Sequence, residues 1–144
     1  MPKTTGDSMS NASAQRKLDF EDVWKDILEV ARIKKDTGIQ TLTRKILNKI
    51  VSVREDAIYV MSEATGNIRK LSKSDFKECW NALIKNGKLS IPPVHVWNER
   101  IIMAFLAHLP YIEYSLNPQT LYLMPTATHP LGTIKRRGSN VFIK

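Results

Sequence analysis

One cysteine, Cys79, is all the thiol chemistry in this chain of 144 residues. That count excludes an internal disulfide and any cysteine-rich zinc site, and it fits a reducing compartment. The three histidines, His95, His108 and His129, stand apart without the spacing of metal ligands. No apolar run approaches the ~20 residues that a membrane span needs. Glycine-rich phosphate loops, nucleophile elbows and paired-carboxylate spacings are likewise missing. The acids gather at Glu21, Asp22, Asp26 and Glu29, a spacing that suits the solvated face of a helix. These absences predict a cytoplasmic, non-membrane protein with no catalytic residues, no cofactor and no metal.

What the chain does have is positive charge, unevenly placed. Its formal net charge is +8. Between Gly38 and Lys73 stand Arg44, Lys45, Lys49, Arg54, Arg69, Lys70 and Lys73, against only Glu55, Asp56 and Glu63. From Pro125 to the last residue stand Lys135, Arg136, Arg137 and Lys144, with no acid. The two stretches together equal the whole excess, so the remainder is close to neutral. Cations gathered in this way raise a local positive potential, and a polyanion is the partner it suggests, DNA ahead of RNA. The residues expected to contact phosphate are Arg44, Lys45, Lys49, Arg69, Lys70 and Lys73, with Thr43 and Asn48 as neutral donors. Lys135, Arg136 and Arg137 would form a flexible arm beside them. Strand alternation sends Arg69 and Lys70 to opposite faces, so at most one of the two shares the patch.

The 42% hydrophobic content is enough for a core. The chain reads as a polar, disordered leader over 1–17, a single α+β domain over 18–124 and a basic tail over 125–144. Asp19 caps a first helix whose stripe is Phe20, Val23, Trp24, Ile27, Leu28 and Ala31. Short strands follow at Thr41-Leu42-Thr43, Ile50 to Val53, Ile58 to Met61 and Ile68 to Leu71, forming a small antiparallel sheet. The stretch Arg44 to Lys49 fits a helical turn as well as a strand connection. Ser72 caps a second helix, with Asp75 three residues on, the stripe Phe76, Cys79, Trp80, Leu83 and Ile84, and a stop at Asn86-Gly87. A rigid Pro92-Pro93 connector leads to Asn98, which caps a third helix with Ile101, Ile102, Phe105, Leu106 and Leu109 inward. A hairpin from Tyr111 to Met124 turns at Asn117-Pro118-Gln119, and an edge strand is expected at Asn140 to Ile143.

Helix, connector, helix, hairpin is the order of a winged-helix core. In that role the third helix would face outward through Glu99, Arg100, Met103, Ala104, Ala107 and His108. Only Arg100 and His108 among these donate to a base edge, so strong sequence specificity is not expected.

Several segments together, Thr41 to Lys45, Asn48-Lys49-Ile50, Ile58-Tyr59-Val60, Phe76 to Leu89 and Ile102 to Tyr111, carry a family likeness. They resemble small auxiliary domains attached to restriction-type nucleases, helicases and other bacterial or archaeal defence and mobile-element proteins. The likeness covers Phe20 to Met124. Such domains open the third helix with an Arg-Ser-Ser-like run, where this chain has Asn98-Glu99-Arg100. The resemblance implies an accessory module in nucleic-acid processing and carries no active site across. The competing expectation is a protein-interaction module for a nuclease or helicase, docking through Ile91, Val94, Trp97 and Met103.

Overall fold

The computed structural model describes residues 19–90, 92 and 98–144. The fold is α+β, with three helices and two antiparallel sheets among the described residues. Helix α1 (Phe20–Ile33) leads into strands β1 (Ile39–Gln40), β2 (Leu47–Val53), β3 (Ala57–Ser62) and β4 (Ile68–Ser72), which pair in sequence order. Then come α2 (Lys73–Asn86), β5 (Lys88–Leu89), α3 (Glu99–Ala107), β6 (Ile112–Ser115) and β7 (Thr120–Leu123). In this second sheet β7 lies between β5 and β6. The leader and most of the proline connector lie outside the described residues.

Two of the three expected caps form. Asp19 Oδ1 accepts from Asp22 N at 3.2 Å, and Ser72 Oγ accepts from Asp75 N at 3.1 Å. Gly87 ends α2 with φ at +76°, the left-handed conformation that glycine adopts without a Cβ penalty. Phe76, Cys79, Trp80 and Leu83 are buried as the helical stripe requires, whereas Ile84 is 46% exposed. It sits a further 100° around the helix from Leu83, beyond the reach of the core. Burial pushes the Cys79 thiol up to about 12, so it is an inert core residue.

The first strand of the sheet is Ile39–Gln40, not Thr41 to Thr43. Leu42 to Arg44 form a turn, closed where Lys45 N donates to Thr41 O and Ile46 N to Thr41 Oγ1, both at 3.0 Å. Lys45 takes a positive φ of 60° there. Gly38 permits this tight return, since a Cβ on it would lie 2.8 Å from the Asn48 carbonyl oxygen.

A single hydrophobic cluster runs through both sheets and all three helices. Trp24 and Phe76 meet with tilted rings at a centroid distance of 5.4 Å, and Phe76 meets Phe105 edge-on at 5.7 Å. Trp24 Nε1 also donates to Glu55 O at 2.7 Å, pinning α1 to the β2–β3 turn. Helix α3 is the centre of this core: every residue from Ile101 to Leu109 is buried. Met103, Ala104, Ala107 and His108, expected to face outward, therefore face protein. Asp26 is not on the solvated acidic face either; it is half-buried and accepts from the Tyr111 hydroxyl at 2.8 Å. Burial raises its pKa above the ordinary carboxylate value, against the lowering effect of that hydrogen bond.

The tail folds back along β6. Tyr114 N donates to Lys135 O at 3.2 Å and Arg137 N to Tyr114 O at 2.7 Å. Buried His129 bridges Thr133 Oγ1 and Ile112 O. Ile134 and Ile143 exchange an antiparallel bridge, so the final residues pair as the expected edge does.

Candidate nucleic-acid interface

Three arginines from three elements meet at one cleft of about 550 Å3. The β1–β2 turn supplies Arg44, β4 supplies Arg69 and the first turn of α3 supplies Arg100. Each arrives there for a local reason. Thr41 closes the turn that presents Arg44. Arg69 pairs across from Val60, on the core-facing side of β4, but near the strand's end where it reaches past the core. Lys70 pairs across from Tyr59, on the other face, as alternation requires.

The floor of the cleft is polar and buried. Thr41, Asn48 and Ser62 are 6%, 4% and 6% exposed. Asn48 Nδ2 donates to Ile46 O at 3.3 Å, and Ser62 Oγ accepts from Ala64 N at 3.2 Å. The hydroxyl protons of Thr41 and Ser62 find no acceptor among the described residues, so both are available to a bound oxyanion. Asn48 is thus a buried wall of the site and not a surface donor.

Asn98 does not cap α3. It takes a positive φ of 61° and makes no side-chain cap hydrogen bond. Its Oδ1 instead accepts from Arg69 Nη1 at 2.9 Å, which holds the guanidinium over the start of the helix. The first-turn amides of α3 have no intrahelical partner, and they carry the positive end of the helix dipole. Asn98, Glu99, Arg100 and Ile101 all line the cleft. Guanidiniums, hydroxyls and an uncapped helix start on one hollow are groups able to donate hydrogen bonds to an oxyanion.

The remaining cations predicted from the sequence are dispersed. Lys49 lies on the outer face of the sheet and pairs with Glu63 at 3.2 Å. Lys73 pairs with Glu21 at 2.8 Å at the start of α2, beside Lys70 in a separate hollow. Lys45 lines another hollow, with Lys34, His108 and Lys144. Lys135 is largely buried and pairs with buried Glu113 at 3.0 Å. The Arg137 guanidinium stacks over Tyr122 at 4.1 Å, leaving Arg136 exposed in the tail. Thr43 donates to Gln119 Oε1 at 2.7 Å, tying the β1–β2 turn to the β6–β7 turn. Ion pairing neutralises some of these cations and not others. Lys49, Lys73 and Lys135 have carboxylate partners, whereas Arg44, Arg69 and Arg100 have none among the described residues.

The sequence pairs Thr41 with Thr43 and Asn48 as donors beside the basic run, but it does not single out Ser62 or the α3 amides. A buried hydroxyl looks like any turn residue in sequence, and the missing cap is visible only once Arg69 is seen to take the Asn98 oxygen. Of the expected docking residues, Ile91, Val94 and Trp97 lie outside the described residues, and Met103 is buried.

Among the described residues no three His, Cys, Asp or Glu side chains gather where a metal could be held, and no helix is long and apolar enough to cross a membrane. The fold is that of a small mixed α+β module, and its described residues include an arginine-lined cleft. The chain matches no protein-family model, no curated protein and no solved structure.

Proposed function

We propose that this chain is a non-catalytic nucleic-acid-binding module, which holds the sugar-phosphate backbone in the Arg44–Arg69–Arg100 cleft. The observation that carries the reading is the convergence of three guanidiniums, without acidic partners among the described residues, on an uncapped helix start. Guanidinium forks match phosphate oxygens two at a time, and each engaged phosphate releases a counterion. The strand order β5-β7-β6 beside α2 and α3 supports a winged-helix-like plan for the C-terminal half. Its third helix is buried, however, so contact runs through the helix start and not through a face laid in the major groove. Binding is accordingly weak in sequence preference and steep in salt. Its setting is cytoplasmic, as an accessory to a nuclease or helicase of the defence or mobile-element kind that the sequence resembles.

The test is a salt titration of binding to random duplex and single strand. Three neutralised phosphates give a slope of log affinity on log salt of about −3 on duplex and −2 on single strand. Removing Arg44 and Arg100 together should flatten it to about −1, and an unchanged slope would remove the cleft from the account.

One observation favours the second reading, a docking module. The outer face of the first sheet exposes Val51 at 43% and Ile68 at 61%. Met61 stands between Lys49 and Ile68 in the cross-strand register. An apolar interface there would be insensitive to salt, which separates it from phosphate binding.

A further inference from the structure

The phosphate reading leaves one group in the cleft without a role. Glu99 opens α3 and lines the arginine cleft, yet it forms no ion pair with Arg44, Arg69 or Arg100 among the described residues. The positive end of the α3 dipole favours an acid in this first turn, and a carboxylate that repels phosphate there still offers an acceptor to a group that donates hydrogen bonds. Glu99 and Arg100 also line a second hollow of about 370 Å3, within the size range of small-ligand sites. Its walls include Pro92 and Met103. Its neutral polar groups are already hydrogen-bonded. Thr43 donates to Gln119, Gln119 Nε2 donates to Met103 Sδ at 3.4 Å, and Ser90 Oγ donates to Thr120 Oγ1 at 2.8 Å, the Thr120 hydroxyl itself donating to Pro118 O. That leaves Glu99 as the acidic acceptor of the hollow.

We infer that Glu99 reads a base of single-stranded nucleic acid, with guanine preferred, while the adjoining phosphate lies on the three arginines. The inference rests on the phosphate reading of the same cleft. The two hollows share Glu99 and Arg100, so a strand crossing the start of α3 places a phosphate in one and its base in the other. A duplex hides the Watson–Crick edge, and an unpaired base can splay to present it. An ionised carboxylate only accepts, and it is matched best by two parallel donors. Guanine offers N1–H and an N2 amino hydrogen side by side. Adenine and cytosine offer one amino group on that edge, and thymine and uracil one imino hydrogen.

The test compares three short single strands at one low salt concentration by fluorescence anisotropy. One is all thymidine, one has a central dG and one has a central abasic site. The wild type should bind the dG strand on the order of tenfold tighter than the thymidine strand, as a bidentate base contact allows. Glu99→Gln and Glu99→Ala should bring the two strands within about twofold. Neither should weaken binding to thymidine, because a negative charge leaves the phosphate site. Equal affinity of the wild type for dG and thymidine strands overturns the inference, as does a preference that survives in both variants. If the strands bind equally but Arg44→Ala and Arg100→Ala lose them, the base reading fails and the phosphate reading stands. No binding to any strand by the wild type overturns both.

Discussion

An arginine that forms no ion pair among the described residues and a lysine already paired with a carboxylate differ in what they can give to phosphate. Arg100→Ala should therefore weaken nucleic-acid binding by about tenfold and reduce the salt slope by about 1. Lys49→Ala frees Glu63 and removes a pair that is 58% and 43% exposed at its side chains, so binding and stability should both change little. Isothermal titration beside thermal melting checks the two variants together. His108 makes a different prediction. Burial is the main cause that drops its pKa to about 4 from 6.5, with nearby Lys34 acting in the same direction. The folded state thus holds a neutral imidazole, while the unfolded chain takes up a proton below pH 6.5. Its contribution is fully present above pH 6.5, is lost as pH falls towards 4, and amounts to about 3 kcal/mol over that window. Denaturant melts of His108→Gln should lack that component; an unchanged pH profile would show that another group carries it.

Elements carry the next set of consequences. The tail's hold on β6 depends on Lys135 and Glu113, whose side chains are 17% and 5% exposed. Lys135→Met leaves a buried carboxylate unpaired and should cost about 2–3 kcal/mol in urea melts. Adding Glu113→Gln should recover most of that loss, and failure to do so would mean the methionine is destabilising by packing alone. The helices were legible in the sequence because period and caps agree: Asp19, Ser72 and Gly87 do what their residue types predict. The four-stranded sheet was legible in its hairpins, since Ala64 to Asn67 is a polar turn between alternating runs. Its first strand was misplaced because Thr41 reads as a β-former, while its hydroxyl closes a turn. Helix α3 shows the limit of periodicity most plainly. Its apolar set was recognised, but a helix surrounded on all sides by two sheets and two helices also buries Ala104, Ala107 and His108. The cleft was half legible. Charge singles out Arg44 and Arg69, and the helix pattern singles out Arg100, but their meeting depends on β4 running beside the start of α3, a distance in space that the sequence does not state.

At the scale of the molecule, the basic residues among those described do not form one continuous patch. The basic stretch of the sequence divides over both faces of the first sheet, the start of α2 and a hollow beside the tail. A protein that bound nucleic acid by general attraction would lose a little affinity with each cation removed, whichever face it came from. A protein that binds through the arginine cleft would lose nearly all of it with three. The direct test is the salt-titrated affinity of the full chain for a single strand, measured for wild type, for Arg44→Ala/Arg69→Ala/Arg100→Ala and for Lys45→Ala/Lys49→Ala/Lys73→Ala. Both triple variants remove the same charge. The cleft account predicts that the arginine variant loses on the order of a hundredfold at low salt and most of its slope, while the lysine variant stays within about threefold of wild type. Equal losses in the two variants, or full binding by the arginine variant, would contradict it.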